Sequence, residues 1–316
     1  MIKKEVIMVS FNIAFINVLI SLLFMVPGFI LCKAKKAAAD HLSTMSAILI
    51  YACSPCMIVS SFLSLEYSKT NLIYMGLFFI VSFMVQFVFL LLVFLIFRKK
   101  FHLSKYRMLT IGSVLGNCGF FGLPLIKALL PDNPEVACYS SIYVISMNLL
   151  VFTAGIYCLT QDKKYISVKA ALLNPTTFSF LVAFPLYIFG ASNRMPDVFK
   201  DAIALLGKMT TPMCMFILGI RLATMDFKKL FTNPFVYFVC IGKLVVFPLF
   251  AYLCVLFLPL PNSFKASILI LAATPCASII LNLAEIHGKE REMSANCILL
   301  STLLCIFTIP LLALLI

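Results

Sequence analysis

Gly116-Asn117-Cys118-Gly119-Phe120-Phe121-Gly122-Leu123-Pro124 lies inside an apolar run, Met108 to Ile126, long enough to enter a membrane. Three glycines and a proline within these nine residues weaken the helix and free backbone hydrogen-bonding groups. In hydrocarbon such a break persists only where protein or a water-lined cavity satisfies those groups. An asparagine at the break makes it a candidate solute site, because discontinuous helices near the bilayer midplane are a recurring binding device of secondary transporters.

The rest of the chain fits a membrane setting. Of its 316 residues 63% are hydrophobic and only 12% charged, with a mean hydropathy of +1.09, too few charges for a soluble domain of this size. No long polar segment is available for a sizeable extramembrane domain. The net charge of +13 does not point to nucleic acid, since the bases cluster in short loops between apolar runs and set membrane orientation instead. Val6 to Cys32 carries no charge for 27 residues, which reads as a span and not a cleaved signal.

Ten spans are expected: Val9–Cys32, Leu42–Leu65, Leu72–Phe97, Met108–Leu129, Val136–Thr160, Ala171–Gly190, Ala202–Ala223, Pro234–Leu258, Ala266–Ala284 and Met293–Ile316. Lys208 and Arg221 are read as near the ends of the seventh. Bases follow the odd-numbered spans: Lys33, Lys35 and Lys36; Arg98 to Arg107; Lys163, Lys164 and Lys169; Lys228 and Lys229; Lys289 and Arg291. The positive-inside rule makes these loops cytoplasmic and leaves both termini outside, with Lys3 and Lys4 the exception.

A shift of 157 residues superposes the rare polar and helix-breaking positions: Ser54-Pro55 on Thr211-Pro212, Asn17 on Asn174, Gln86 on Lys243, Asn117-Cys118 on Thr274-Pro275, Glu135 on Glu292. Residues 1–160 and 170–316 therefore read as two five-helix repeats joined by a connector, 161–169. An odd number of spans per half inverts one against the other, placing a solute site where the halves meet.

The fourth and ninth spans are then mates, each broken near its middle. If the breaks cross, helix N-termini converge with N–H groups suited to a carboxylate. Gly116, Asn117 and Gly119 on one side and Thr274, Pro275, Cys276 and Ser278 on the other are the candidate binding residues. Asn117 and Thr274 would add side-chain hydrogen bonds; a packing kink is the plainer reading. Lys243, the single charge between Leu230 and Phe264, would either compensate an anionic solute or bond broken-helix carbonyls. Ser54, Pro55, Thr211 and Pro212 would line the cavity opposite, or merely kink their helices. Asn148 would contribute from span five, or bridge helices. No Asp or Glu lies mid-span, Glu285 being the deepest, so coupling through a buried carboxylate is not expected.

Other chemistry is poorly supplied. The twelve cysteines lie mostly in apolar runs, and Cys53-x-x-Cys56 has neither a second pair nor a neighbouring histidine. His41, His102 and His287 fall in loops without a partnering cluster, and no Walker pattern occurs. Neither an enzyme, a metal, a cofactor nor an ATP-driven pump is expected.

Taken together, Asn117-Cys118-Gly119-Phe120-Phe121-Gly122-Leu123-Pro124, Thr211-Pro212-Met213 to Leu218-Gly219, Lys243 with Pro248, Ala273-Thr274-Pro275, and Ser301-Thr302-Leu303-Leu304 to Thr308-Ile309-Pro310 resemble the auxin efflux carrier family, including its malate and malonate permease-like bacterial members. The resemblance implies an all-α polytopic fold of two inverted five-helix repeats, akin to bile-acid symporters and sodium/proton antiporters. Spans one, two, six and seven would form a scaffold, and the others a core that moves like an elevator around the crossing of spans four and nine. It further implies a secondary active or facilitative carrier of a small organic anion, usually a homodimer through the scaffold; the compact loops, the lack of a sorting motif and the missing central domain favour a bacterial plasma membrane. No proline stands beside Asn117 as one does beside Thr274. A sodium-coupled symporter of bile-acid-like solutes and a non-transporting sensor are the alternatives.

Overall fold

In hydrocarbon a chain satisfies its backbone by helix formation, and apolar runs with little amphipathic periodicity form helices buried on every side by protein or lipid. The computed structural model describes residues 11–225, 227–288 and 290–316, and only the backbone of 227–229. The start of the first expected span at Val9, Lys3, Lys4, Lys289 and the side chains of Lys228 and Lys229 thus lie outside the described residues.

Eight helices are long and apolar enough to cross a membrane: α1 (Phe11–Lys33), α2 (Ala39–Leu63), α3 (Lys69–Lys100), α6 (Glu135–Thr160), α7 (Lys163–Ile188), α8 (Asp197–Thr224), α9 (Pro234–Leu256) and α12 (Arg291–Ala313). The fourth and ninth expected spans are each two shorter pieces, α4 (Ser104–Gly112) with α5 (Cys118–Leu129), and α10 (Asn262–Ala272) with α11 (Ser278–Ile286). One boundary differs from expectation in a way that matters. α8 begins at Asp197, so Lys208 is the twelfth residue of its first segment and lies well inside the helix.

Several helices widen locally, and at three of these places proline is the cause; the wide turn at Val151–Gly155 has none after it. Wide turns at Leu49–Cys53, Cys118–Gly122 and Gly242–Val246 each end two residues before a proline: Pro55, Pro124 and Pro248. A helical proline lacks its N–H and its ring clashes with the carbonyl four residues earlier, so the preceding turn opens.

The helices sort into two groups, joined where α1 packs on α12 and α5. α1 packs on α8, and α2 packs on α7 and α8. The α1–α8 approach needs glycine: a Cβ on Gly28 would lie 2.2 Å from the Phe216 carbonyl oxygen, and one on Gly219 2.0 Å from that of Met25. Phe62, Phe180, Phe184 and Tyr187 pack edge to face and stack within this group. In the second group α3 packs on α6, and α9 on α10 and α12. Phe78 stacks on Tyr139 at 4.5 Å between centroids and meets Phe264 edge-on at 4.8 Å. Each group therefore has its own aromatic centre.

Candidate functional site

The gaps Ser113–Asn117 and Ala273–Ala277 meet inside the second group. Asn117 N–H donates to Pro275 O at 2.7 Å and Ala277 N–H to Leu115 O at 3.0 Å, a single antiparallel bridge centred on Gly116 and Cys276. Backbone groups freed by the two breaks thus satisfy one another, and Pro275, which has no N–H, contributes only its carbonyl. Cys276 N–H donates to Ser301 Oγ at 3.0 Å, and Ser140 Oγ donates to Cys118 O at 2.9 Å. Gly116 is required by space, since a Cβ there would lie 2.6 Å from Thr274 Oγ1 and 2.8 Å from Lys243 Nζ.

This geometry corrects the repeat register. The bridge relates Gly116 to Cys276 and Asn117 to Ala277, a shift of 160, not 157. The helices agree, since α4 and α10 end at Gly112 and Ala272, and α5 and α11 begin at Cys118 and Ser278. Between the Ser-Pro and Thr-Pro pairs and the crossing, the second half is three residues longer, which an ungapped shift cannot follow.

Lys243 lies beneath the crossing, fully buried. Its Nζ donates to Ala272 O, the last carbonyl of α10, at 2.5 Å and stands 4.8 Å from the Phe247 ring centroid. An ammonium here neutralises the negative end of a helix that stops inside the membrane. Thr274, also fully buried, turns its hydroxyl back to Leu271 O at 2.8 Å. Cys276 Sγ donates to Gly112 O at 3.3 Å. Lys243, Thr274, Pro275 and Cys276 build the crossing and do not line the cavity beside it.

That cavity has a volume of about 70 Å³ and is walled by Ser54, Gly116, Asn117, Gly119, Asn148 and Ser278, among others. It adjoins the N-termini of α5 and α11, where helical N–H groups lack intrahelical acceptors. The hydroxyl of Ser54 has no hydrogen-bond partner among the described residues, and that of Ser278 meets only the Cys214 thiol. The Asn117 side chain, on a residue 5% exposed, donates only to Cys214 Sγ at 3.8 Å among the described residues. Asn148 Nδ2 donates to Asn174 Oδ1 at 3.4 Å. Buried polar groups left this idle are uncommon, and here they share one wall. Ser140, Ser141 and Thr176, not foreseen from sequence, complete it.

Larger chambers open on either side. Toward the base-poor end, about 460 Å³ is enclosed by α1, α2, α5 and α8, with Thr211 and Pro212 on its wall; Met57 is shared with the small cavity. Toward the base-rich end, about 930 Å³ lies between α2, α8, α11 and α12. A constriction of about 20 Å³ at Phe120, Cys214 and Ser278 leads there from the small cavity. Pro55 borders none of these spaces; it shapes α2 instead. Besides the Asn117–Cys214 and Asn148–Asn174 contacts, further bonds cross between the groups. Thr211 Oγ1 donates to Phe120 O, the carbonyl that Pro124 leaves without a helical donor. Arg221 forms a two-pronged ion pair with Glu285, the second contact at 3.2 Å.

A crossing of interrupted helices flanked by solvent-sized chambers, in an all-helical body with eight membrane-length helices, defines a membrane transporter. The sequence model of the family described as membrane transport protein matches residues 13–170 and again 163–313. The chain belongs to that family, the auxin efflux carriers, and carries its unit twice. Comparison with curated proteins finds no match.

Proposed function

We propose that the chain is a secondary carrier, active or facilitative, that moves a small organic anion, a mono- or dicarboxylate, across a plasma membrane by elevator-like alternating access. The observation that carries this reading is the course of four connected spaces, which follow the seam between α1, α2, α7, α8 and the group containing α5, α6, α11 and α12. A seam that is widest at its ends and about 70 Å³ at its middle is what alternating access between two bodies requires.

In this reading the chain crosses the membrane ten times in two inverted halves, with α4–α5 and α10–α11 each counting as one broken span. The base-rich loops face the cytoplasm and both termini lie outside. The first group is the scaffold, through which two copies associate, and the second carries the solute. The carboxylate would sit beside Asn117, Ser54 and Ser278, facing the α5 and α11 N-termini. No acidic residue lines the small cavity, and Lys243 already holds a positive charge beneath the crossing, so sodium need not be bound there.

Counterflow in proteoliposomes tests the reading, with malate, malonate, succinate, lactate and indole-3-acetate as solutes and sodium and proton gradients as separate arms. Saturable exchange of one carboxylate without sodium is expected. Uptake that requires sodium, or silence with folded protein across the panel, would overturn it.

A further inference from the structure

The chamber at the base-poor end holds two charges that nothing else explains. Lys208 of α8 and Lys127 in the last turn of α5 both line it, and no Asp or Glu does. Neither lysine forms an ion pair or hydrogen bond among the described residues. Lys208 is roughly 16 Å along α8 from Asp197, at ~1.5 Å per residue, which in the carrier reading sets it at membrane depth. A charge at that depth is costly unless it faces water or a counter-charge.

The wall around them is polar but self-satisfied. Met57, Ser60, Ser61 and Ser64 form one stripe of α2 at helical i, i+3, i+4, i+7 spacing. Ser60 and Ser61 donate to Met57 O at 3.0 and 2.8 Å, and Ser64 donates to Ser61 O at 2.9 Å. On α1, Ser21 donates to Asn17 O at 2.9 Å, and Asn17 to Ile13 O at 2.8 Å. With these donors occupied, the two ammonium groups, both on exposed lysines, are the polar groups of this wall with no protein partner among the described residues. The opposite chamber differs: Arg221 is held by Glu285 carboxylate, and Arg291 donates to the Glu285 carbonyl at 3.2 Å.

We propose that this chamber is an anion-capture subsite, in which a carboxylate docks between Lys127 and Lys208 before reaching the crossing. Its volume of about 460 Å³ admits a small dicarboxylate, whereas the 70 Å³ cavity does not in this conformation. One lysine belongs to each helical group, so a docked anion bridges the two bodies. The inference rests on the carrier reading for its solute class, while the lysine pair stands independently of transport. A lipid phosphate would satisfy the same chemistry; the serines of α2 beside the lysines, and the chamber's place against the cavity through Met57, favour the solute.

Reductive methylation of the protein in zwitterionic nanodiscs, read by peptide mass spectrometry, tests this directly. Malonate should slow methylation of Lys127 and Lys208 saturably, while neutral malonamide, and chloride at equal ionic strength, should not; Lys163 serves as an exposed control. Absence of protection, or protection by anionic phospholipid with none by malonate, overturns the subsite. In transport, Lys127→Gln with Lys208→Gln should lower kcat/KM for malonate entering from this face about tenfold at low salt, the difference closing as salt rises. An unchanged kcat/KM also overturns it. Protection without any transport by the wild type would retain the subsite and remove the carrier reading alone.

Discussion

Replacing Lys243 by methionine keeps the length and volume of the side chain but removes its charge and its donor. The Ala272 carbonyl, which now accepts from Nζ at 2.5 Å, would be left buried without that partner. A buried acceptor stripped of its donor costs about 1–3 kcal/mol. Loss of the cation at the carbonyl end of α10 adds about 0.3–2 kcal/mol, at the upper end because the site is fully buried. Against this, the mutation spares the desolvation of a buried ammonium, so the net loss should sit near the lower part of that range, about 1–3 kcal/mol. By the scaling of globular domains this is a fall of roughly 3–10 °C in melting temperature. A thiol-reactive fluorophore is the suitable reporter, since nine of the twelve cysteines are buried and the chain has no tryptophan. Lys243→Met should melt earlier in detergent and lose exchange of every solute alike. Unchanged melting combined with loss of anionic solutes only would refute the structural role and make Lys243 a direct solute ligand.

Other perturbations follow from the same geometry. Gly116→Ala forces a Cβ to within 2.8 Å of Lys243 Nζ and should cost about 1–3 kcal/mol with loss of transport, while Gly76→Ala, which meets nothing within 4 Å, should leave folded yield and melting unchanged. Thr211→Val keeps the shape but strips the donor from Phe120 O, so it should lower stability by about 1–3 kcal/mol in the same melting assay, and Thr211→Ser should restore it. Glu285→Gln releases Arg221 at the base-rich end; labelling of Cys214, which lines the constriction there, should accelerate several-fold by mass spectrometry, and an unchanged rate would show that the ion pair does not control access.

How far the sequence foretold this structure depends on the length scale. Apolar runs of about twenty residues announce membrane helices because the bilayer core dictates their length. The interruptions were legible in the glycines and prolines of Gly116–Pro124 and in Thr274-Pro275. Register was not: the 157-residue shift is pinned by Pro55 and Pro212, and three extra residues further on carry the crossing to Gly116 and Cys276. Side-chain direction was equally hidden. Lys243 and Thr274 are polar positions in the right spans, yet both turn to helix-end carbonyls and away from the cavity. Lys208 was missed because the charged turn at Asp197–Asp201 reads as a loop, whereas it is helical and sets the lysine deep. The Ser60, Ser61 and Ser64 stripe carried a signal in its spacing, but serines bonded to their own helix look the same in sequence whether they face lipid, protein or water.

The most direct test of the central claim, that solute passes beside the crossing, is malonate counterflow through Asn117→Ala in proteoliposomes holding matched amounts of folded protein. A hydrogen bond to a charged group contributes about 1.5–3 kcal/mol, so its loss should cut exchange about tenfold or more while the melting temperature stays close to wild type, since the Asn117 side chain donates among the described residues only to Cys214 Sγ and its backbone bond to Pro275 is kept. Wild-type exchange by the stable variant would contradict the account and move the solute path away from the crossing.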